Sequence, residues 1–345
     1  MTAKSGDRSP SQRASSTSAD TEKDDPAARV TEDRNPVRIE MPEGIRCAIA
    51  LTYDTDMAGG YAPPDGVCHG RTMPALQRYM LRLCDTAERF GVRLQFFQIG
   101  NGLDEREDVG YLRQILQRGH VVDSHTYSHI ALVTPDLNAL EEELALTNQL
   151  FEKRLGWKST VLRGPGGYQE GLRGKPANQR IIMKNGFHWV SCQYDNTLAQ
   201  QPLQKAVEAA GRDLPYAYGT GLVELPLQGF TDRVWFETVK MEDRELYHAW
   251  RAEWGHREVP AGSRALWTTA DALDTWIDYN LAAADYAYDH GLLWIACWHP
   301  YSHYVHDPDN RVLPALLTHC AARKKREGDM AWVCTLRDAV GMIAI

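Results

Sequence analysis

Two histidines four residues apart, His125 and His129, follow a short apolar run in the stretch VVDSHTYSH, residues 121–129. On a helical turn this spacing puts both imidazoles on one face, close enough to share a metal ion. The pair alone is a weak signal, because the chain holds 12 histidines and some fall four apart by chance. A second constellation strengthens it. The run RCAIALTYD ends in Asp54-Thr55-Asp56. Strand residues two apart point to the same side, so both carboxylates project from one strand end. Two histidines and one carboxylate make a usual catalytic-metal set with positions left for water and substrate. Asp56 is the oxygen ligand in this reading, beside His125 and His129. Asp54 is then free as a base towards metal-bound water, whose pKa a divalent ion lowers towards ~7. Arg163 would hold Asp54 ionised through a charge-assisted hydrogen bond. His299 would protonate a departing amine. Asp195 would orient His299 and support its charge.

The elements that must position these groups are legible as alternating periodicities. Residues 46–54 read as a strand buried on both faces. Leu76, Met80, Leu83, Cys84 and Ala87 give residues 71–90 a helical spacing, stopped by Gly91. A strand over 92–99, a helix over 108–118 and a strand over 120–124 follow. The spacing then predicts a helix over 137–155, capped by Asn138 or Asp136 and stopped by Gly156. A strand over 159–162 runs into Arg163-Gly164-Pro165-Gly166-Gly167-Tyr168. Strands at 187–192, 221–227 and 292–298 alternate with helices at 178–185, 269–290 and 313–326, before a last strand and helix. This predicts an α/β fold with parallel strands covered by helices, and about seven strands suit a distorted (β/α) barrel better than an open sheet. Asp54, Asp56, His125, Arg163, Asp195 and His299 fall at carboxyl ends of strands, the active rim of such barrels. Residues 59–70 form a glycine-rich loop, and the irregular 230–260 stretch reads as an insertion over the site.

The chain has 345 residues, 43% of them hydrophobic and 24% charged, enough for a sizeable soluble core. The net charge of -8 argues against a nucleic-acid surface. Seven scattered cysteines with no CxxC pair fit a reducing compartment. There is no apolar run of membrane-spanning length and no signal-peptide pattern at the N-terminus, so a cytoplasmic location is expected. Residues 1–40 carry almost no large apolar side chains and are expected to be a disordered tail ahead of a single 41–345 domain.

Other residues invite competing readings. His303 repeats the four-residue spacing after His299, but Pro300 and the missing carboxylate argue against a second metal. It reads as a substrate contact or a surface residue. His69 and Cys68 read as loop residues rather than ligands. The ten tryptophans read mainly as core, with Trp235, Trp250 and Trp254 as candidates for a substrate wall. Glu224, inside an apolar strand, is either a barrel-interior group or the outward face of an edge strand.

Taken together, the motifs resemble the polysaccharide deacetylase family, the NodB-like metal-dependent amide hydrolases. Leu51-Thr52-Tyr53-Asp54-Thr55-Asp56 resembles that family's aspartate motif. His125-Thr126-Tyr127-Ser128-His129 resembles its metal-binding HxxxH, and Arg163-Gly164-Pro165-Gly166-Gly167 its third motif. Tyr194-Asp195-Asn196 and Trp298-His299-Pro300 resemble the fourth and the last. The resemblance spans residues 45–345. It implies a distorted barrel, zinc or another divalent ion (Co, Ni or Mn) on Asp56, His125 and His129, Asp54 as base and His299 as acid. One departure stands out: Thr55 separates the two aspartates, as in a subgroup that includes peptidoglycan deacetylase and cyclic imide hydrolase-like members. The expected reaction is N-deacetylation of an amino sugar or another N-acetylated metabolite. Hydrolysis of a cyclic imide or ureide, and a non-catalytic binding module on the same barrel, are the rivals. The expected partner is a small-molecule or oligosaccharide substrate, with no nucleic acid and no membrane; a homo-oligomer stays open.

Overall fold

The computed structural model describes residues 34–56, 70, 72, 74–198, 203–238, 270–327 and 329–344. The tail up to residue 33, most of the 59–70 loop with Cys68 and His69, and Trp250 and Trp254 lie outside them. The strands are β1 Asn35–Pro36, β2 Arg38–Ile39, β3 Ile45–Asp54, β4 Gln95–Gln98, β5 Val121–Ser124, β6 Val161–Tyr168, β7 Trp189–Gln193, β8 Tyr216–Ala217, β9 Val223–Glu224, β10 Leu293–Trp298, β11 Met330–Cys334 and β12 Ile343–Ala344. β1 and β2 lie ahead of residue 41, within the stretch expected to be a tail. β1 pairs with β8 and β2 with β12. Backbone pairing, not apolar burial, holds these few residues, so composition carries no trace of it.

Among the described residues the sheet runs β1-β8-β9-β7-β6-β5-β4-β3-β10, with β11 also on β3. From β9 through β7, β6, β5, β4 and β3 to β10 every pairing is parallel. β3 is the hub. One of its edges carries β10 over Ala48–Tyr53, and the other is shared by β11 over its first half and β4 over Thr52–Asp54. The two ends of the order meet just past β9. Tyr194 bridges Leu227 in parallel. The next residue, Gln228, donates its backbone N–H to the Ile295 carbonyl at 3.0 Å. Its side-chain Oε1 accepts the Ile295 N–H at 2.7 Å. The sheet thus closes on itself as a distorted (β/α) barrel, with a side chain completing the ladder where the strand gives out.

The period-2 pattern of β3 sorts its residues between two cores. Cys47, Ile49, Leu51 and Tyr53 pack outward beneath the helices with Trp294 and Trp298. Ala48 and Ala50 point inward with Phe97, Val161, Ile295 and Cys297. Small residues on the inner face suit a narrow interior. The same alternation carries Thr52, Asp54 and Asp56 inward at the strand end. Trp276, Trp294 and Trp298 are fully buried, as core residues should be. Among the described residues no helix is long and apolar enough to cross a membrane. Cys47, Cys84, Cys192, Cys297, Cys320 and Cys334 are buried free thiols.

Candidate metal centre

Asp54, Asp56, His125, His129 and His299 line one cavity of about 330 Å³ at the carboxyl ends of β3, β5 and β10. Asp56, His125 and His129 each bring one ligand atom to within 4.8 Å of the others. His125 Nδ1 lies 3.0 Å from the Arg163 carbonyl. A carbonyl only accepts, so Nδ1 carries the proton and Nε2 keeps its lone pair. That Nε2 faces Asp54 Oδ2 and Asp56 Oδ1, 3.8 Å from each. His129 Nε2 lies 3.7 Å from Asp56 Oδ2, and the two imidazoles meet edge to face at 4.8 Å. Asp56 Oδ1 is buried and has no hydrogen-bond partner among the described residues. A buried carboxylate oxygen left without a hydrogen bond beside imidazole nitrogens fits a divalent cation.

The histidines do not sit on a helical turn, as their spacing suggests. Residues 125–129 are a loop, and Thr126 and His129 adopt left-handed φ values of 62° and 68°. Tertiary bonds hold this uncommon backbone in place. Glu143, on the helix Leu137–Leu150, accepts the Tyr127 and Ser128 N–H groups at 3.1 and 2.8 Å and also bonds the Ser128 hydroxyl. On the other side, Gly100 N donates to Thr126 O at 2.7 Å. A Cβ on Gly100 would come within 3.0 Å of the Tyr127 Cα and 2.8 Å of Thr147 Oγ1, so only glycine allows this approach.

Arg163 lies wholly inside the barrel. Its Nη2 donates to Thr52 Oγ1 at 2.8 Å, its Nη1 is 3.6 Å from Asp54 Oδ2, and its guanidinium lies 4.5 Å over the Phe97 ring. Gly164 lets β6 press on β7, because a Cβ there would lie 2.4 Å from Cys192 Cβ. The irregular RGPGG run is therefore strand, with a register shift between Arg163 and Tyr168.

His299 caps the helix Pro300–His306, and its Nε2 lies 3.5 Å from Asp56 Oδ1. The expected orienting partner, Asp195, is not beside it. Asp195 is occupied in a turn past β7, accepting from Thr197 N at 2.9 Å, Thr197 Oγ1 at 2.7 Å and Gln169 Nε2 at 3.2 Å. Its neighbours Tyr194 and Asn196 reach the cavity wall instead. The partner of His299 is Asp232, at the start of the helix Asp232–Thr238. Asp232 Oδ1 takes the His299 Nδ1–H at 2.6 Å, and Oδ2 takes the His299 backbone N–H at 2.8 Å. Spacing gives no hint of Asp232, which lies in the stretch expected to be irregular. Cys297 is findable, because it sits near the end of β10 two residues before His299, whose backbone is still extended, and so shares its face.

Charge follows this geometry. Burial alone would lower the His299 pKa, but Asp232 and Asp56 overcome it and push it up to about 9. Burial works against Asp232 too, yet the charge and hydrogen bonds of His299 hold its carboxyl below the usual range. Burial would raise Asp56, but His299, His129 and His125 hold it at about 2. Burial and then the neighbouring His125 push His129 down to about 4. His129 is thus neutral at pH 7 and ready to ligate, and His299 is the chief cation facing Asp56.

Two other residues differ from their sequence readings. His303 is neither a surface residue nor a substrate contact. It is fully buried, with Nε2 3.6 Å from Asp232 Oδ2, because the helix turns it back into the core. Glu224 is a buried interior group, accepting from Cys192 N at 2.7 Å, Gln193 N at 2.9 Å and Tyr218 Oη at 2.6 Å.

Comparison with known proteins bears on this arrangement. Residues 46–179 match the family model Polysaccharide deacetylase. No curated protein matches the chain. A structure from Mycobacterium smegmatis, designated a candidate polysaccharide deacetylase, is 20% identical, with 90% of this chain and 94% of that one covered and a TM-score of 0.56. A similarly designated structure from Pseudomonas aeruginosa PAO1 is 16% identical, with 88% and 92% covered and a TM-score of 0.56. A structure named Puue allantoinase is 16% identical, with 88% and 91% covered and a TM-score of 0.53. At these identities the likeness is one of fold. The family match covers the segment that bears Asp54, Asp56, His125, His129 and Arg163, and the chain shares the fold of these polysaccharide deacetylase structures.

Proposed function

We propose that the protein is a divalent-metal-dependent hydrolase of a carbon–nitrogen amide bond, and that it removes the acetyl group from an amino sugar or another N-acetylated metabolite. The observation that carries this reading is the convergence on one cavity of a three-ligand set, a second carboxylate and an imidazolium backed by its own carboxylate. Asp56, His125 and His129 hold the metal, zinc or a similar ion. When bound, such an ion supplies Lewis acidity towards a carbonyl oxygen and a lowered pKa for a coordinated water.

The chain's own residues do the rest. Asp54 Oδ1 is buried without a hydrogen-bond partner among the described residues, so it can take a proton from the attacking water. Arg163 Nη1 lies 3.6 Å from Asp54 Oδ2, an ion-pair distance rather than the expected hydrogen bond, and places a buried positive charge beside that carboxylate. His299 Nε2 gives a proton to the nitrogen as the carbon–nitrogen bond breaks and the new carbon–oxygen bond completes the acid product. Asp232 fixes the His299 ring and keeps it cationic until that moment. Tyr194, Leu227 and Val234 supply apolar wall to the cavity, suited to a methyl or ring face.

Ring opening of a cyclic imide or ureide uses the same groups. The fold likeness to an allantoinase and the Asp54-Thr55-Asp56 spacing favour keeping it as the second reading. The test is a panel of N-acetylated amino sugars and cyclic imides or ureides, run on the parent and Asp54→Asn. Acetate release that Asp54→Asn abolishes while metal content stays at the parent's level supports deacetylation. Ring opening without acetate release moves the reading to the cyclic amides. Ligand binding with no turnover on any substrate would leave only a binding module.

A further inference from the structure

Cys297 lies near the end of β10 and His299 one residue past it, still in extended backbone (φ -130°, ψ 126°), so the two face the same side. Cys297 Sγ lies 3.3 Å from Asp54 Oδ2. Asp54, Cys297 and His299 each bring one ligand atom within 4.8 Å of the others, forming a second set beside Asp56, His125 and His129. All three are buried, with relative exposures of 5%, 3% and 6%. Asp54 Oδ1 has no hydrogen-bond partner among the described residues. His299 has committed Nδ1 to Asp232, which leaves Nε2 as its ligating atom in the carboxylate–histidine arrangement common around bound metals. Thiolate, imidazole and carboxylate together favour zinc and its softer congeners over magnesium or calcium.

We propose that Asp54, Cys297 and His299 form a second, inhibitory site for a thiophilic divalent cation such as Zn²⁺ or Cd²⁺. The inhibitory part rests on the hydrolase reading above, in which Asp54 is the base and His299 the acid. A cation here takes the Asp54 carboxylate that serves as base and displaces the Nε2 proton that His299 delivers as acid. As the site loads, the Cys297 thiol proton and the His299 Nε2 proton both leave to solvent, and no group is oxidised or reduced. The enzyme would then need one cation and be shut off by the next.

The probe is Cd²⁺, titrated into metal-free protein while stoichiometry and the ultraviolet thiolate-to-metal charge-transfer band are followed. The parent is expected to bind two equivalents, with the band rising only with the second. Cys297→Ala should stop at one equivalent with no band. Asp56→Ala with His129→Ala should lose the first equivalent and keep the band. Hydrolysis by the parent should be lost as the second equivalent loads, whereas Cys297→Ala should show no fall from its own starting rate. A parent that never shows the band, or a band that survives in Cys297→Ala, overturns the second site. A parent that shows the band but never the Asp56-dependent equivalent leaves the second site standing and overturns the hydrolase reading instead.

Discussion

Asp232 grips His299 twice, taking the ring Nδ1–H at 2.6 Å through Oδ1 and the backbone N–H at 2.8 Å through Oδ2. The two residues lie on different elements 67 positions apart. One carboxylate thus sets the tautomer, the ring orientation and the charge of the group assigned as acid. Asp232→Asn keeps the shape but offers an amide where a charged acceptor stood. Turnover should fall about 10²-fold or more, the usual contribution of a positioned acid, with KM and metal content near the parent's. A kcat within a few-fold of the parent would remove Asp232 from the account.

Glu143 fixes the loop that carries both histidines proposed as metal ligands. Glu143→Ala should free Tyr127 and Ser128 from their left-handed neighbours and weaken metal binding about 10–100-fold, as loss of outer-shell support usually does. Competition with a chromophoric chelator measures this, and the far-ultraviolet circular dichroism should not change. Unchanged affinity would mean that Gly100 and Asn101, which also bond the loop, suffice.

Closure of the barrel depends on Gln228. Its Oε1 accepts from Ile295 N at 2.7 Å and Gly211 N at 3.1 Å, and its Nε2 donates to Asp213 O at 2.6 Å. Gln228→Ala leaves the Ile295 N–H buried without this acceptor, at a cost of about 1–3 kcal/mol. In a protein of this size each kcal/mol lowers the melting temperature by about 1–2 °C. A thermal melt of the variant that overlays the parent's would show that the ladder closes without this side chain.

Two core histidines should make the fold acid-sensitive. Burial pushes His303 down to about 4 and His306 to about 3. Asp232 and His303 are the titratable groups that act on His306, which stacks on Phe236 at 4.2 Å. In the unfolded chain each histidine gains its proton near 6.5, whereas the folded core refuses it until far lower pH. The unfolded state therefore binds more protons between those values, and stability is lost as pH falls below about 6.5. The slope approaches about 1.4 kcal/mol per pH unit for each histidine. His306→Leu should flatten the dependence of denaturant stability between pH 6.5 and 4.5. Parallel curves for parent and variant would contradict a neutral buried His306.

Sequence reading reaches a site only where local pattern records it. His125 and His129 were visible through their spacing, and Asp54 and Asp56 through the strand that ends in them. The local conformation of the histidine loop was not visible. The positive φ values of Thr126 and His129 are imposed by Glu143 and Gly100, which are remote in sequence. Asp195 looked suitable because it follows a strand on the rim, but two bonds to Thr197 use its carboxylate locally. Asp232 was hidden because its only link to His299 is tertiary. Cys297 is one of seven scattered cysteines, and strand alternation alone places it beside His299. The parallel strands were legible from alternation, but the two-residue strands β1, β2, β8 and β12 were not, nor was the closure, since one glutamine side chain completes it.

The most direct test of the central claim is elemental analysis of the purified protein beside an acetate-release assay on N-acetylated amino sugars, with and without chelator. The account predicts one tightly held divalent ion, acetate release that stops when the chelator removes it, and recovery when the ion is returned. Acetate release that continues at the same rate in metal-stripped protein would contradict it.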